Sequence, residues 1–395
     1  MPWKECHVVD DRLRFVARLL DGEKMAPLCK AFGISRKTGY KIYERYKDCG
    51  IQGLTDRSRR PYRHANQVPM VVEKTIVALK REYPSGGAPK IRERLRRRCP
   101  ELLCPAISTV HAVLDRHGLV TRQRRRRTRL RGTPLSRPRQ PNDLWCADYK
   151  GEFMLANRQY CYPLTVTDFA TRYLIGCEAL STTKEQYAFT VFEQLFKEFG
   201  LPRAIRTDNG VPFASAHAIY GLSKLSVWWL RLGIALERIA PGHPEQNGQH
   251  ERMHLTLKRE ATKPAAANGL QQQARFEAFR TYYNIERPHQ ALGMKAPADL
   301  YERSPRPFGE LPELEYPLHD WSTTVTTCGR ICYRTRKINL SQVFAGQRVG
   351  VRQVSERIWL VSFMEYDLGY FDDETCRLEP IENPFGPKVL PMSPE

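Results

Sequence analysis

Residues 121–139 carry nine arginines and no acid. A segment of that charge density cannot collapse into a core, so it divides the chain into parts that must fold separately. The charge is just as unevenly shared. Residues 1–140 hold 34 Lys+Arg against 13 Asp+Glu, whereas residues 141–395 hold 29 against 30, so the whole net charge of +20 sits in the first third. A basic module attached to a near-neutral body points to a polyanion partner, and phosphate backbones are the usual one. With 395 residues and 41% hydrophobic content the chain has material for several ordinary cores. It has no apolar run long enough for a membrane span, its start lacks a signal-peptide build, and its 11 cysteines include no C-x-x-C pair. The expectation is a cytoplasmic protein with free thiols and no membrane partner.

The basic third reads as two helical modules. Periodicity over 11–20 places Leu13, Val16, Ala17 and Leu20 on one face, and a short helix over 24–32 turns Leu28, Cys29 and Phe32 inward. Gly33 supplies a tight turn and Ser35 caps a third helix with Ile42, Tyr43 and Tyr46 inward. Arg36, Lys37, Thr38, Tyr40 and Lys41 occupy the opening turns of that helix, where a helix-turn-helix presents its DNA-reading side chains. Gly50-x-x-Gly53-Leu54 and the following run with Arg57, Arg59 and Arg60 read as a phosphate-binding linker. A second module follows, with helices over 70–83 and 89–98 and a third capped by Ser108 that ends at Gly118. Arg124, Arg125, Arg126 and Arg127 then form the densest part of an arm suited to lie along DNA. The expected segmentation is 1–62, 63–120, an Arg-rich linker over 121–140, a core over 141–302, a linker over 303–319, a β domain over 320–384 and a tail.

After Pro141 the periodicity changes. LWCADYKG, YCYPLTVTDFA and RYLIGCEAL are β-forming runs, followed by a helix near 183–199, the strand AIRTD, a helix over 219–232, the strand ALERIA and a helix starting near Gly248. Three meandering strands followed by alternation describe an α/β core with a mixed sheet. Asp148 lies in the first long strand and Asp208 ends the fourth, so parallel pairing of the two strands brings the carboxylates together, and Glu251 faces them from the first turn of the last helix. Three hard oxygen ligands suit Mg²⁺ or Mn²⁺, and two such ions activate a nucleophile and stabilise a departing oxygen in phosphodiester chemistry.

The strings DLWCADYKG, RTDNG, PGHPEQNGQHERMHLTLK and YYNIERPHQAL resemble, in order, the core signatures of bacterial insertion-sequence transposases of the integrase-like DDE family. The G-x-x-G-L-x-D-R-S-R-R-P segment at Gly50 to Pro61 matches the same family, so the resemblance spans about residues 11–301. It implies a ribonuclease-H-like fold and a DNA transposase with catalytic, metal-holding Asp148, Asp208 and Glu251. It further implies two Mg²⁺ ions, or Mn²⁺, per site, with terminal repeats and target DNA as substrates and a homo-oligomer assembled on them. Lys258 matches a DNA-contacting lysine. Forty-two residues separate Asp208 from Glu251, longer than the family spacing that Glu245 would satisfy; Glu251 is preferred for its place on the helix, Glu245 being expected in a mobile loop. Asp168 and Asp143 read as strand-end residues, Arg287, Pro288 and His289 as a structural clasp, and His254 as a surface residue that either approaches DNA or has no role. Short β runs over 320–382 suggest a small five-stranded barrel. A DNA-binding regulator without catalysis and a ribonuclease-H-type nuclease are the alternative functions.

Overall fold

A computed structural model describes residues 8–56, 68–120, 135–216 and 218–385. They fall into two compact units, Met1–Pro69 and Met70–Glu395. Residues 57–67 and 121–134 lie outside the described residues, and with them Arg57, Arg59, Arg60 and Arg124 to Arg127.

The first unit packs α1 (Val8–Leu20), α2 (Met25–Ala31) and α3 (Arg36–Cys49) around Phe15, Val16, Leu28 and Cys29. Ser35 caps α3 by accepting from the Thr38 amide at 3.1 Å, and Gly33 takes φ +63° in the turn before it. The buried face of α1 is only partly the expected one: Val16 is buried, but Ala17 is exposed. Leu13 and Leu20 are exposed, while Phe15 turns inward and meets Phe32 edge-on at 5.4 Å between ring centres. Gly39 is what lets α3 approach so closely, since a Cβ there would lie 2.5 Å from Cys29 Sγ. The expected linker over Gly50–Leu54 is a 3-10 turn folded onto the unit: Leu54 is buried and its carbonyl accepts from Arg12, which also pairs with Asp56.

In the second unit α4 (Met70–Glu82), α5 (Ala88–Arg98) and α6 (Ile107–Arg116) bury Ile76, Ile91, Leu95 and Val110 against one another. The N-cap of α6 is Ala106, without a side-chain cap, and Ser108 is already inside the helix. The core then runs β1 (Leu144–Tyr149), β2 (Phe153–Met154), β3 (Tyr160–Asp168), β4 (Leu174–Leu180), α7 (Glu185–Phe199), β5 (Ala204–Thr207), α8 (Lys224–Arg231), β6 (Ala235–Arg238), α9 (Gly248–Glu260) and α10 (Gly269–Thr281). The strands lie in the order β4, β3, β1, β5, β6. The short β2 also pairs with β3; β3 is antiparallel to its neighbours, and β1, β5 and β6 are mutually parallel. Alternation along β1 sends Trp145 and Ala147 into a core with Phe192, Phe196 and Trp229 on the α7/α8 side. Cys146 and Asp148 therefore face the other side, where Met253, Leu257, Phe276 and Phe279 of α9 and α10 pack on Cys161 and Cys177.

Residues 303–319 differ from the expected linker, because Arg306 donates to the carbonyls of Pro202, Leu232 and Gly233 and straps the segment to the core. Beyond it β7 (Trp321–Thr324), β10 (Arg348–Ser355), β11 (Ile358–Phe363), β12 (Tyr366–Asp372) and β13 (Leu378–Pro380) form an antiparallel sheet in the order β13, β12, β11, β10, β7, and β8 (Arg330–Tyr333) pairs only with β9 (Arg336–Asn339). The number of strands in the sheet is as expected, but the barrel does not close, since among the described residues β7 and β13 are edges with no further strand beside them. Closure is replaced by packing: Ile331, Tyr333 and Ile338 of the hairpin share one core with Val349, Val361 and Phe371 of the sheet and with Val227 and Leu230 of α8.

Candidate active site

The parallel register of β1 and β5 sets Leu144 beside Ala204 and Cys146 beside Arg206. Carried two residues further, it brings Asp148 level with Asp208 at the carboxyl ends of both strands. Asp208 begins a turn that Asn209 ties to β6 by donating to the Ile239 carbonyl at 2.7 Å. Gly210 leaves the Asp208 carboxylate room, since a Cβ there would stand 3.0 Å from Oδ2.

The two carboxylates are held in a costly state. Burial first, then the negative charges of Asp208 and Glu251, push Asp148 up to about 7. Burial also raises Asp208, whose Oδ1 is enclosed without a hydrogen-bond partner. Glu251 is exposed in the first turn of α9 and close enough to act on Asp148. Glu245, in contrast, sits in a 3-10 turn over Pro244–Asn247 and is engaged by His243 Nδ1 at 2.8 Å. In the same turn Gln246 accepts from the Ala240 amide.

His254 is buried, contrary to the expectation that it is exposed. Its Nε2 and that of His250 both meet Thr165 Oγ1, at 2.7 and 2.8 Å, while His250 Nδ1 meets Thr167 Oγ1 at 2.8 Å. His254 Nδ1 lies 3.7 Å from Asp148 Oδ2. Burial holds both rings neutral by lowering their pKa values, that of His250 to about 3. Asp148, His250 and His254 form the one three-residue grouping of metal-ligating atoms among the described residues. The pair went unread in the sequence, although His250, Met253, His254 and Leu257 recur at helical spacing and all four are buried in α9.

The remaining expected residues divide by place. Arg36, Lys37, Thr38, Tyr40 and Lys41 are all exposed on α3, and Lys258 is exposed on α9. Asp168 is buried and accepts from the Asn142 amide and from the amide and hydroxyl of Thr171, so its lone pairs are spent on local structure. Asp143 faces Arg203 at 3.5 Å. After α10, Asn284 donates to and accepts from the Leu174 backbone, extending the pairing of β4, and buried Arg287 pairs with Glu260 of α9 at 2.8 Å.

Comparison with known proteins accords with this layout. Residues 138–244 and 232–297 match the integrase core domain, residues 11–62 a helix-turn-helix domain and residues 38–114 a homeodomain-like domain. The chain is 28% identical over 287 residues to the 39.2 kDa protein of insertion element IS476 from Xanthomonas euvesicatoria, covering 71% of this chain and 79% of that one. It is 28% identical over 186 residues to the 31.7 kDa protein of insertion element IS407 from Burkholderia multivorans, covering 46% of this chain and 64% of that one. Among solved structures, the HTLV-2 integrase catalytic core domain in complex with magnesium aligns at 14% identity and a TM-score of 0.33, covering 41% of this chain and 98% of that one. Helix-turn-helix domains ahead of an integrase core, with insertion-element relatives along most of the chain, support a bacterial insertion-sequence transposase of the integrase family, a DNA transposase/integrase enzyme.

Proposed function

We propose that the chain cleaves DNA strands at the ends of a mobile element and joins them to target DNA, with Asp148, Asp208 and Glu251 together holding two Mg²⁺ or Mn²⁺ ions. The observation that carries this reading is the enclosed, unpartnered Oδ1 of Asp208 at a strand end shared with Asp148, whose carboxyl is pushed up to about 7 by burial and by Asp208 and Glu251. Two half-buried acids set close together without a cation are unfavourable, and a divalent ion is the partner that relieves both. The donor set of three carboxylates on separate elements also fits hard, oxygen-seeking ions. Bound there, the ions would activate the attacking water or 3′-hydroxyl and stabilise the departing oxygen.

The chain's own groups prepare that chemistry. Asp148, on which the charges of both other acids act, would be one of the residues that hold the ions. Thr165 Oγ1 donates to the Asp148 backbone carbonyl and neutral His254 stands 3.7 Å from its carboxylate, so both line its surroundings without adding positive charge. Glu251, at the exposed start of α9, faces the solvent side from which a DNA strand arrives, and Lys258 lies two turns along the same helix as a phosphate contact. The exposed side chains of Arg36 to Lys41 would read the terminal repeats in the major groove. Because two ends are joined in one event, the working form is a homo-oligomer on DNA.

Strand transfer by Glu251→Gln and Glu245→Gln variants tests the assignment. Glu251→Gln is expected to abolish Mg²⁺-dependent joining and Glu245→Gln to retain it; the reverse pattern would remove Glu251 from the trio.

A further inference from the structure

On the flank of α9, next to the acids but separate from them, four segments of chain close around a cavity of about 360 Å³. Lys90 enters from α5, Arg172 from the turn between β3 and β4, Gln249 and Arg252 from α9, and Arg287 and His289 from the segment after α10. The floor is buried: Arg287 is 8% and His289 7% exposed, whereas Arg252 is exposed at the mouth. Arg287 has an acid partner in Glu260, but among the described residues Lys90, Arg172 and Arg252 have no ion pair. Two enclosed polar atoms here also have no hydrogen-bond partner, His289 Nε2 and Gln249 Oε1. Since amide oxygen and nitrogen are interchangeable in such an assignment, Gln249 can offer its NH₂ to the same space.

We infer that this cavity is a phosphate-binding site that receives a backbone phosphate of the DNA strand held at the active site. Three guanidinium groups and a lysine around one space, with a single acid among their partners, disfavour one another's charge until an anion arrives. The side chains respond to both burial and their neighbours: burial first, then Arg287, lowers Lys90 to about 7 against the opposing pull of Glu260, and burial first, then Lys90, Arg287 and Arg172, lowers His289 to about 3. A phosphate provides what is missing, namely negative charge and several acceptor oxygens, and guanidinium forks match its geometry. Gln249 and Arg252 flank Glu251 in the first turn and a half of α9, so a phosphate seated here is registered against the acids by one rigid element. Lys90 comes from the second helical module, so a filled site also links that module to the core.

The choice of DNA as the phosphate's source rests on the proposed function, and the test therefore reads binding rather than turnover. Two probes are applied to the full-length chain and to Arg252→Gln and Lys90→Met variants: inorganic phosphate, followed by ³¹P line broadening, and a fluorescent 30-base-pair duplex, followed by anisotropy across a salt series. Near-native circular dichroism melts of the exposed Arg252→Gln variant separate loss of the site from loss of the fold. Saturable phosphate binding that weakens at least tenfold in both variants is expected, together with duplex binding that weakens and loses about one unit of the log K against log salt slope per cation removed. Phosphate should compete with the duplex more strongly than chloride at equal ionic strength in the native chain, and no more strongly than chloride in the variants. Unsaturable phosphate binding, or binding unchanged by the substitutions, would overturn the site. Phosphate binding that is lost in variants with native duplex affinity would overturn DNA as the source and leave a free phosphate compound as the occupant. Failure of strand transfer with these binding results intact would count against the proposed function and not against the site.

Discussion

Asp148→Asn should make the metal-free protein more stable at neutral pH. The carboxyl of Asp148 is raised from 3.8 to about 7, by burial and then by Asp208, and its side chain is only 23% exposed. The folded chain therefore keeps a proton that the unfolded chain releases near pH 4. Stability from this residue is full below about pH 4, falls as the pH climbs to about 7 and is level above that, where both states are ionised. At about 1.4 kcal/mol per pKa unit, the loss across the window is about 4 kcal/mol. Asparagine has no proton to release and escapes the loss. At roughly 2–4 °C per kcal/mol, the variant in EDTA should melt roughly 8–16 °C above the native chain at pH 8, with the two converging near pH 4. Scanning calorimetry of the core transition at both pH values, with and without Mg²⁺, is the assay. Mg²⁺ should narrow the gap at pH 8 by stabilising the native chain alone. A gap independent of pH, or a less stable variant at pH 8, would refute the reasoning.

Two other substitutions test how the fold positions the site. Gly39→Val should destabilise the first unit by about 1–3 kcal/mol, because even a Cβ would stand 2.5 Å from Cys29 Sγ, and amide exchange in α1 to α3 should speed up while exchange in the core does not. Arg94→Met should loosen the second helical module: Arg94 lies 3.4 Å from the centre of the Tyr83 ring and bonds the Tyr282 hydroxyl, so faster amide exchange confined to α4–α6 is expected, with a cost of about 1–2 kcal/mol.

The strand placement of Asp148 and Asp208, the first two acids of the proposed site, was legible in the sequence because it follows from local pattern. Asp148 is inside a β-forming run, Asp208 ends one, and parallel pairing of the two is what an alternating core provides. The supports of the site were not legible, because their partners are remote. His250 and His254 look like exposed helix residues until β3 presents Thr165 and Thr167 to them, more than eighty positions back along the chain. Arg306 sits in a proline-rich stretch with no periodicity, and only the carbonyls of Pro202, Leu232 and Gly233 make it a strap. The inward face of α1 was misread for a related reason. Leu13 and Leu20 fit a helical period as well as Phe15 and Leu19 do, and the choice is made by Phe32 and Leu54 of other segments. The barrel expected near the C-terminus failed at closure, since strand count is written in local sequence and edge pairing is not.

The most direct test of the account is strand cleavage and joining on duplexes bearing the element's terminal repeats, comparing the native chain with Asp208→Asn in Mg²⁺ and in EDTA. Joined product should form only with the native chain and only with the metal, while the variant retains the native chain's affinity for the duplex. Product in EDTA, or undiminished product from Asp208→Asn, would contradict the assignment of the chemistry to these carboxylates.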